Sequence, residues 1–129
     1  MKTIKKIIAV LVLCAAITAA YPSQFTATEQ GCSQMDAERD GIKCAVRYID
    51  GLGDTLMIRV HGKAGDPQEK RDRTKQAIST TIHNFLASGG IWIKMRTTRM
   101  DGQLVERQCS KIKHGKREQC GEWYPVEDD

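Results

Sequence analysis

Three histidines, His61, His83 and His114, are the natural candidates for proton chemistry in this chain. His61 lies two residues from Arg59 on a strand-like run. With a carboxylate such as Glu106 on the same sheet, that pair could supply the general acid, general base and anion clamp of a small secreted nuclease. The surrounding motifs do not extend this reading. The sequence holds no nucleophile elbow, no HExxH zinc helix and no paired-cysteine redox motif. Each histidine also has a plainer place, at a strand end for His61, on a helix for His83 and in a turn for His114. The expectation is a chain without catalysis and without a cofactor.

A second kind of chemistry needs only charge and one ring. Trp92, Lys94, Arg96, Arg107 and Lys111 are spaced to share the solvent side of a sheet, with Arg47, Arg59 and Met57 beside them. A tryptophan among cations can stack on a base or a sugar ring, and the cations can pair with phosphate, sulfate or carboxylate. An open sheet must show polar groups to water in any case, so the pattern alone does not require a ligand. The partners that fit are an anionic glycan, an envelope lipid head group or an acidic envelope protein. An inhibitor or assembly accessory of an envelope or secreted protein is the alternative, and a hydrolase such as a nuclease comes third.

The cysteines place the chain in an oxidising setting. Residues 1–20 read as a signal peptide, with Lys2, Lys5 and Lys6 ahead of the apolar run Ile7–Ile17 and small residues to Ala20. This expectation sends the protein to the periplasm or out of the cell, with no transmembrane span after cleavage. Cys14 could instead be a lipidation site, but Leu13 before it makes a poor lipobox. Three of the 20 Lys and Arg residues lie in this leader, leaving 17 against 16 Asp and Glu. Bulk charge therefore excludes nothing and recommends nothing, and nucleic acid is not a natural partner for an exported protein.

Cys32, Cys44, Cys109 and Cys120 remain. Neither neighbouring pair has the short spacing that brings two thiolates to one zinc, so two disulfides are expected. In CSKIKHGKREQC (109–120), a two-residue turn at His114-Gly115 sets Lys111 against Glu118 and Cys109 against Cys120. It also sets Arg107 against Glu122. A one-residue slip breaks all three pairs. This register favours Cys109–Cys120 and leaves Cys32–Cys44. The nested pattern, Cys44–Cys109 with Cys32–Cys120, stays open.

The elements that must position these groups follow from periodicity. Residues 44–49 and 54–62 alternate as a hairpin, with Leu56, Ile58 and Val60 on one face. Asp66, Pro67 and Glu69 read as a capping box opening a helix that Gly89-Gly90 stops. Residues 91–111 read as a second hairpin about an Asp101-Gly102 turn, which sets Arg96 against Arg107 and Trp92 against Lys111. Two facing arginines are unfavourable, so either that turn is irregular, the strand bulges or the charge is wanted.

The fold class is α+β: an antiparallel sheet of two hairpins (β-β-α-β-β), one helix packed on one face, and a C-terminal disulfide-stapled ribbon. The helix should cover Leu56, Ile58, Val60, Ile91, Ile93 and Met95. Residues 21–43 read as a loose arm carrying Cys32, with a helical turn ending at Gly41. Residues 44–125 form the single domain, and 126–129 are an acidic tail.

Overall fold

The computed structural model describes residues 23–111 and 118–127. The expected signal peptide, the His114-Gly115 turn and the basic tip at Lys113, Lys116 and Arg117 lie outside the described residues. The described chain is a mixed α+β fold with a six-stranded sheet and one main helix. Helices α1 (Thr26–Ser33) and α2 (Ala37–Asp40) precede a hairpin of β1 (Ile42–Ile49) and β2 (Gly53–Val60). Helix α3 (Gln68–Ala87) leads to a second hairpin of β3 (Trp92–Thr98) and β4 (Leu104–Lys111). Two short strands, β5 (Glu118–Cys120) and β6 (Tyr124–Pro125), both pair with β4.

The sheet order is β1-β2-β3-β4-β5, and the central β2–β3 pair is parallel. This corrects the expectation of an all-antiparallel sheet. The reason is the length of the connection. A helix of 20 residues is about 30 Å long, and an eight-residue strand spans about 27 Å. Helix α3 therefore carries the chain back to the end of the sheet where β2 began, and β3 runs alongside β2. Each hairpin remains antiparallel within itself.

The helix covers one face of this sheet. Leu56, Ile58, Ile93 and Met95 meet Ile82, Phe85 and Leu86 in the core, with Val60 and Ile78 packed at its margin. Ile91 does not join them. It precedes β3 and is exposed. The polar first half of α3 lies on the surface and is held by α2, where the Thr74 hydroxyl donates to the Asp40 carbonyl at 2.8 Å. Gly41 ends α2 at φ 72° as expected, and a side chain there would also collide with Thr74.

The start of α3 differs from a capping box. Pro67 is the N-cap and no side chain caps the helix. Asp66 instead accepts from the Lys63 N–H at 2.7 Å, closing the preceding turn, and pairs with Lys70 at 3.3 Å. At the other end, Gly90 lies against the Phe85 ring so closely that any Cβ would overlap it.

The loose arm is also corrected. Residues 26–33 form α1, and β1 begins at Ile42. Phe25 is buried, its ring centroid 4.8 Å from that of Phe85, and Thr28 and Cys32 face inward. Cys32 is bonded to Cys44 at the start of β1. A buried ring at one end and a disulfide at the other hold a helix whose own apolar pattern is weak. The other disulfide joins Cys109 to Cys120, which excludes the nested pairing. Cys109↔Cys120, Ser110↔Gln119 and Lys111↔Glu118 lie in the expected register. Residue 126 is part of the structure as well, since the Val126 N–H donates to the Leu104 carbonyl at 3.0 Å.

Candidate functional site: the open face of the sheet

Strand pairing orders the face away from α3 into rows. Lys43, Arg59, Arg96, Glu106 and Tyr124 form one row across five strands. Ala45, Met57, Lys94 and Gln108 form the next, and Arg47, Thr55, Trp92 and Ser110 the third. Neighbours within a row stand about 4.8 Å apart, and successive rows roughly 7 Å apart. Arg47, Arg59, Trp92, Lys94 and Arg96 are thus brought to one face, as their alternation predicts. Lys43 joins them. It escapes notice in the sequence because β1 starts earlier than its apolar alternation indicates.

Arg107 and Lys111 are not on this face. The β3–β4 connection takes five residues, 99–103, instead of a two-residue turn. The Arg99 N–H donates to the Gln103 carbonyl, and Gly102 sits at φ 85°. The register moves by one, so Arg96 faces Glu106 and Trp92 faces Ser110. The unfavourable Arg96–Arg107 opposition disappears through an irregular turn. Arg107 and Lys111 turn to the helix side. There Arg107 lies 4.7 Å over the Trp123 ring, and Lys111 borders a cleft with His83 and Leu86 of α3. Arg107 does not meet Glu122 in the ladder, because the strand gains a residue between Cys120 and Tyr124.

Glu106 anchors the β4 side of the open face. It is only 3% exposed. The Arg96 Nε–H donates to its Oε1 at 2.7 Å, the Tyr124 hydroxyl donates to its Oε2, and the Lys94 ammonium lies 3.9 Å away. Burial pushes the carboxyl up, but these donors and charges outweigh it and hold Glu106 below its ordinary value. Tyr124 is pushed up to about 12, first by burial and then by its bond to Glu106.

Beyond β3 the face is cationic. A shallow depression of about 760 Å³ is bordered by Lys43, Arg47, Arg59, Lys94 and Arg96, with Ala45 and Met57 between them and Ile49 at its far end. Arg59 donates to the Thr98 hydroxyl at 3.1 Å, which holds its guanidinium along the sheet. His61 stands at the rim, and its backbone N–H donates to the Gly41 carbonyl at 2.7 Å. Desolvation, then the charges of Arg59 and Lys43, lower the His61 pKa. Among the residues of this face in the paired strands, Glu106 is the one acid. Trp92 is half-buried beside the depression, one row from Lys94.

The groups considered for nuclease chemistry do share this face, but both Glu106 oxygens are engaged by Arg96 and Tyr124. Among the described residues, no cluster of three or more His, Cys, Asp or Glu could hold a metal ion. No helix among them is long and apolar enough to cross a membrane. No family model matches the chain, and no curated protein or solved structure matches it either.

Proposed function

We propose that this protein is a binding module that captures an anionic ligand of the cell envelope or its surroundings on the open face of its sheet, without catalysis. One observation carries the reading. Lys43, Arg47, Arg59, Lys94 and Arg96, from three adjacent strands, surround one depression, while the one acid that the described strands place on that face is turned into bonds with Arg96 and Tyr124. Like charges gathered on one face repel one another, and a polyanion relieves that repulsion while releasing its own counterions. The two disulfides support an oxidising, extracellular or periplasmic setting for this role. The engaged state of Glu106 supports a holding function over acid–base chemistry.

The test is binding of the oxidised protein to an immobilised polysulfate at several salt concentrations. The expected result is retention that falls steeply with salt and is lost when Arg47, Arg59 and Lys94 are replaced together by Gln. Arg96 is left in place because Glu106 depends on it. Retention that survives this triple substitution would overturn the assignment. Capture of a protein partner through apolar contacts, the inhibitor or assembly role, differs in being insensitive to salt.

A further inference from the structure

Resting on that reading, we infer that the ligand is an anionic polysaccharide, a chain of pyranose rings bearing sulfate or carboxylate groups. The depression is not uniformly charged. The register sets the Ala45 and Met57 pair among Lys43, Arg47, Arg59 and Lys94 as an apolar floor, with Ile49 lining the far end beyond Arg47. Ala45 and Met57 are directly paired across β1 and β2, and both are half-buried, as is Ile49. A ligand that is anionic throughout gains nothing from such a floor and leaves it wet. A sugar ring has an apolar C–H face and carries its anions at the periphery. It can lie on the floor while its substituents reach Lys43, Arg47, Arg59 and Lys94.

Trp92 extends the same pattern. It shares a row with Arg47 and Thr55 and precedes Lys94 along β3 at a two-residue spacing. Alternate residues of a strand stand about 7 Å apart along the backbone, a spacing that lets one ring stack while the substituent of its neighbour pairs with the charge. A single-stranded nucleic acid uses a series of aromatic platforms, one for each stacked base. On this face the paired strands supply Trp92, while Tyr124 is committed to Glu106. One platform, an apolar floor and peripheral cations suit sugar rings better than successive bases.

The experiment is calorimetric titration of the oxidised full chain with a heparin oligosaccharide, a polyphosphate of matched charge and a single-stranded oligonucleotide of matched charge. The glycan is expected to bind about tenfold more tightly than either comparator. Trp92→Ala and Met57→Ser should each weaken the glycan by about tenfold, the order of one lost stacking contact, and leave polyphosphate unchanged. Trp92→Tyr should restore most of the affinity and shows that loss in Trp92→Ala is not misfolding. Equal binding of glycan and polyphosphate, both indifferent to Trp92→Ala, would overturn the glycan inference while leaving the anion-binding face intact. Preferred binding of the oligonucleotide would overturn it in favour of bases. Failure of all three probes to bind would remove the proposed function itself.

Discussion

Arg96 and Arg107 stand on neighbouring strands, β3 and β4, but on opposite sides of the sheet. Arg96 donates to the buried Glu106 carboxylate at 2.7 Å, whereas Arg107 covers the Trp123 ring with its Nε buried and unpartnered among the described residues. Losing the Arg96 bond strips a charge-assisted hydrogen bond from a buried acid, so Arg96→Met is expected to cost about 2 kcal/mol. In Arg107→Met the lost ring contact is offset by removal of an unsatisfied donor. Its stability should stay within about 1 kcal/mol of the parent. Urea denaturation of the two variants separates them, and equal losses would show that the two arginines are not distinguished in this way.

The Tyr124–Glu106 bond sets a pH window. Glu106 is held below its ordinary value, so its contribution is present above its unfolded pKa and is lost as pH falls through the folded one. Tyr124 is raised from 10.0 to about 12, so its contribution is present below pH 10 and is lost as pH rises towards 12. A phenolate absorbance titration should show one tyrosine ionising near pH 12, absent from Tyr124→Phe. Glu106→Gln should remove the acid-side loss attributable to this pair.

The two disulfides restrain different parts. They close spans of 12 and 11 residues, and each is worth about 3 kcal/mol on the loop-entropy scale. Replacing Cys32 and Cys44 by Ser should raise hydrogen exchange across α1 (26–33) and leave β5 protected. Replacing Cys109 and Cys120 should do the reverse. Peptide mapping without reduction checks the pairing directly.

The corrected register makes a control set for binding. Lys43→Ala and Arg47→Ala are each expected to lower polyanion affinity several-fold and to reduce the salt slope by about 1. Lys111→Ala and Arg107→Met lie on the other face and should leave both quantities unchanged. Salt-dependent titrations of the four variants decide whether face, and not merely charge, governs binding.

Much of this arrangement is legible in the residues. Alternation assigns Leu56, Ile58, Ile93 and Met95 to the core, and Met57, Arg59, Lys94 and Arg96 to the other side. Cross-strand complementarity gives the Cys109↔Cys120 register, because opposite charges and two thiols constrain it together. The Asp101-Gly102 turn misleads because its dipeptide fits a tight turn, while the chain spends three more residues to set Arg96 against Glu106. The α1 helix is obscured because it is held by distant partners, Phe85 and Cys44, and not by its own periodicity. The parallel central pair is a property of the crossover as a whole, and no local pattern in β2 or β3 encodes it.

That crossover has a kinetic side. Thr55 and Trp92 are neighbours in the sheet but stand 37 positions apart in the chain. Each hairpin closes over a short loop, whereas the β2–β3 seam must wait until the intervening helix spans the sheet, a slower and more entropically demanding closure. Arg47 and Arg59 belong to the early half, Trp92 and Lys94 to the other. The first hairpin carries the larger share of the cationic depression, and Lys94 and Arg96 complete it only when the seam shuts. The gain of full polyanion affinity during refolding is therefore a reporter of that last event.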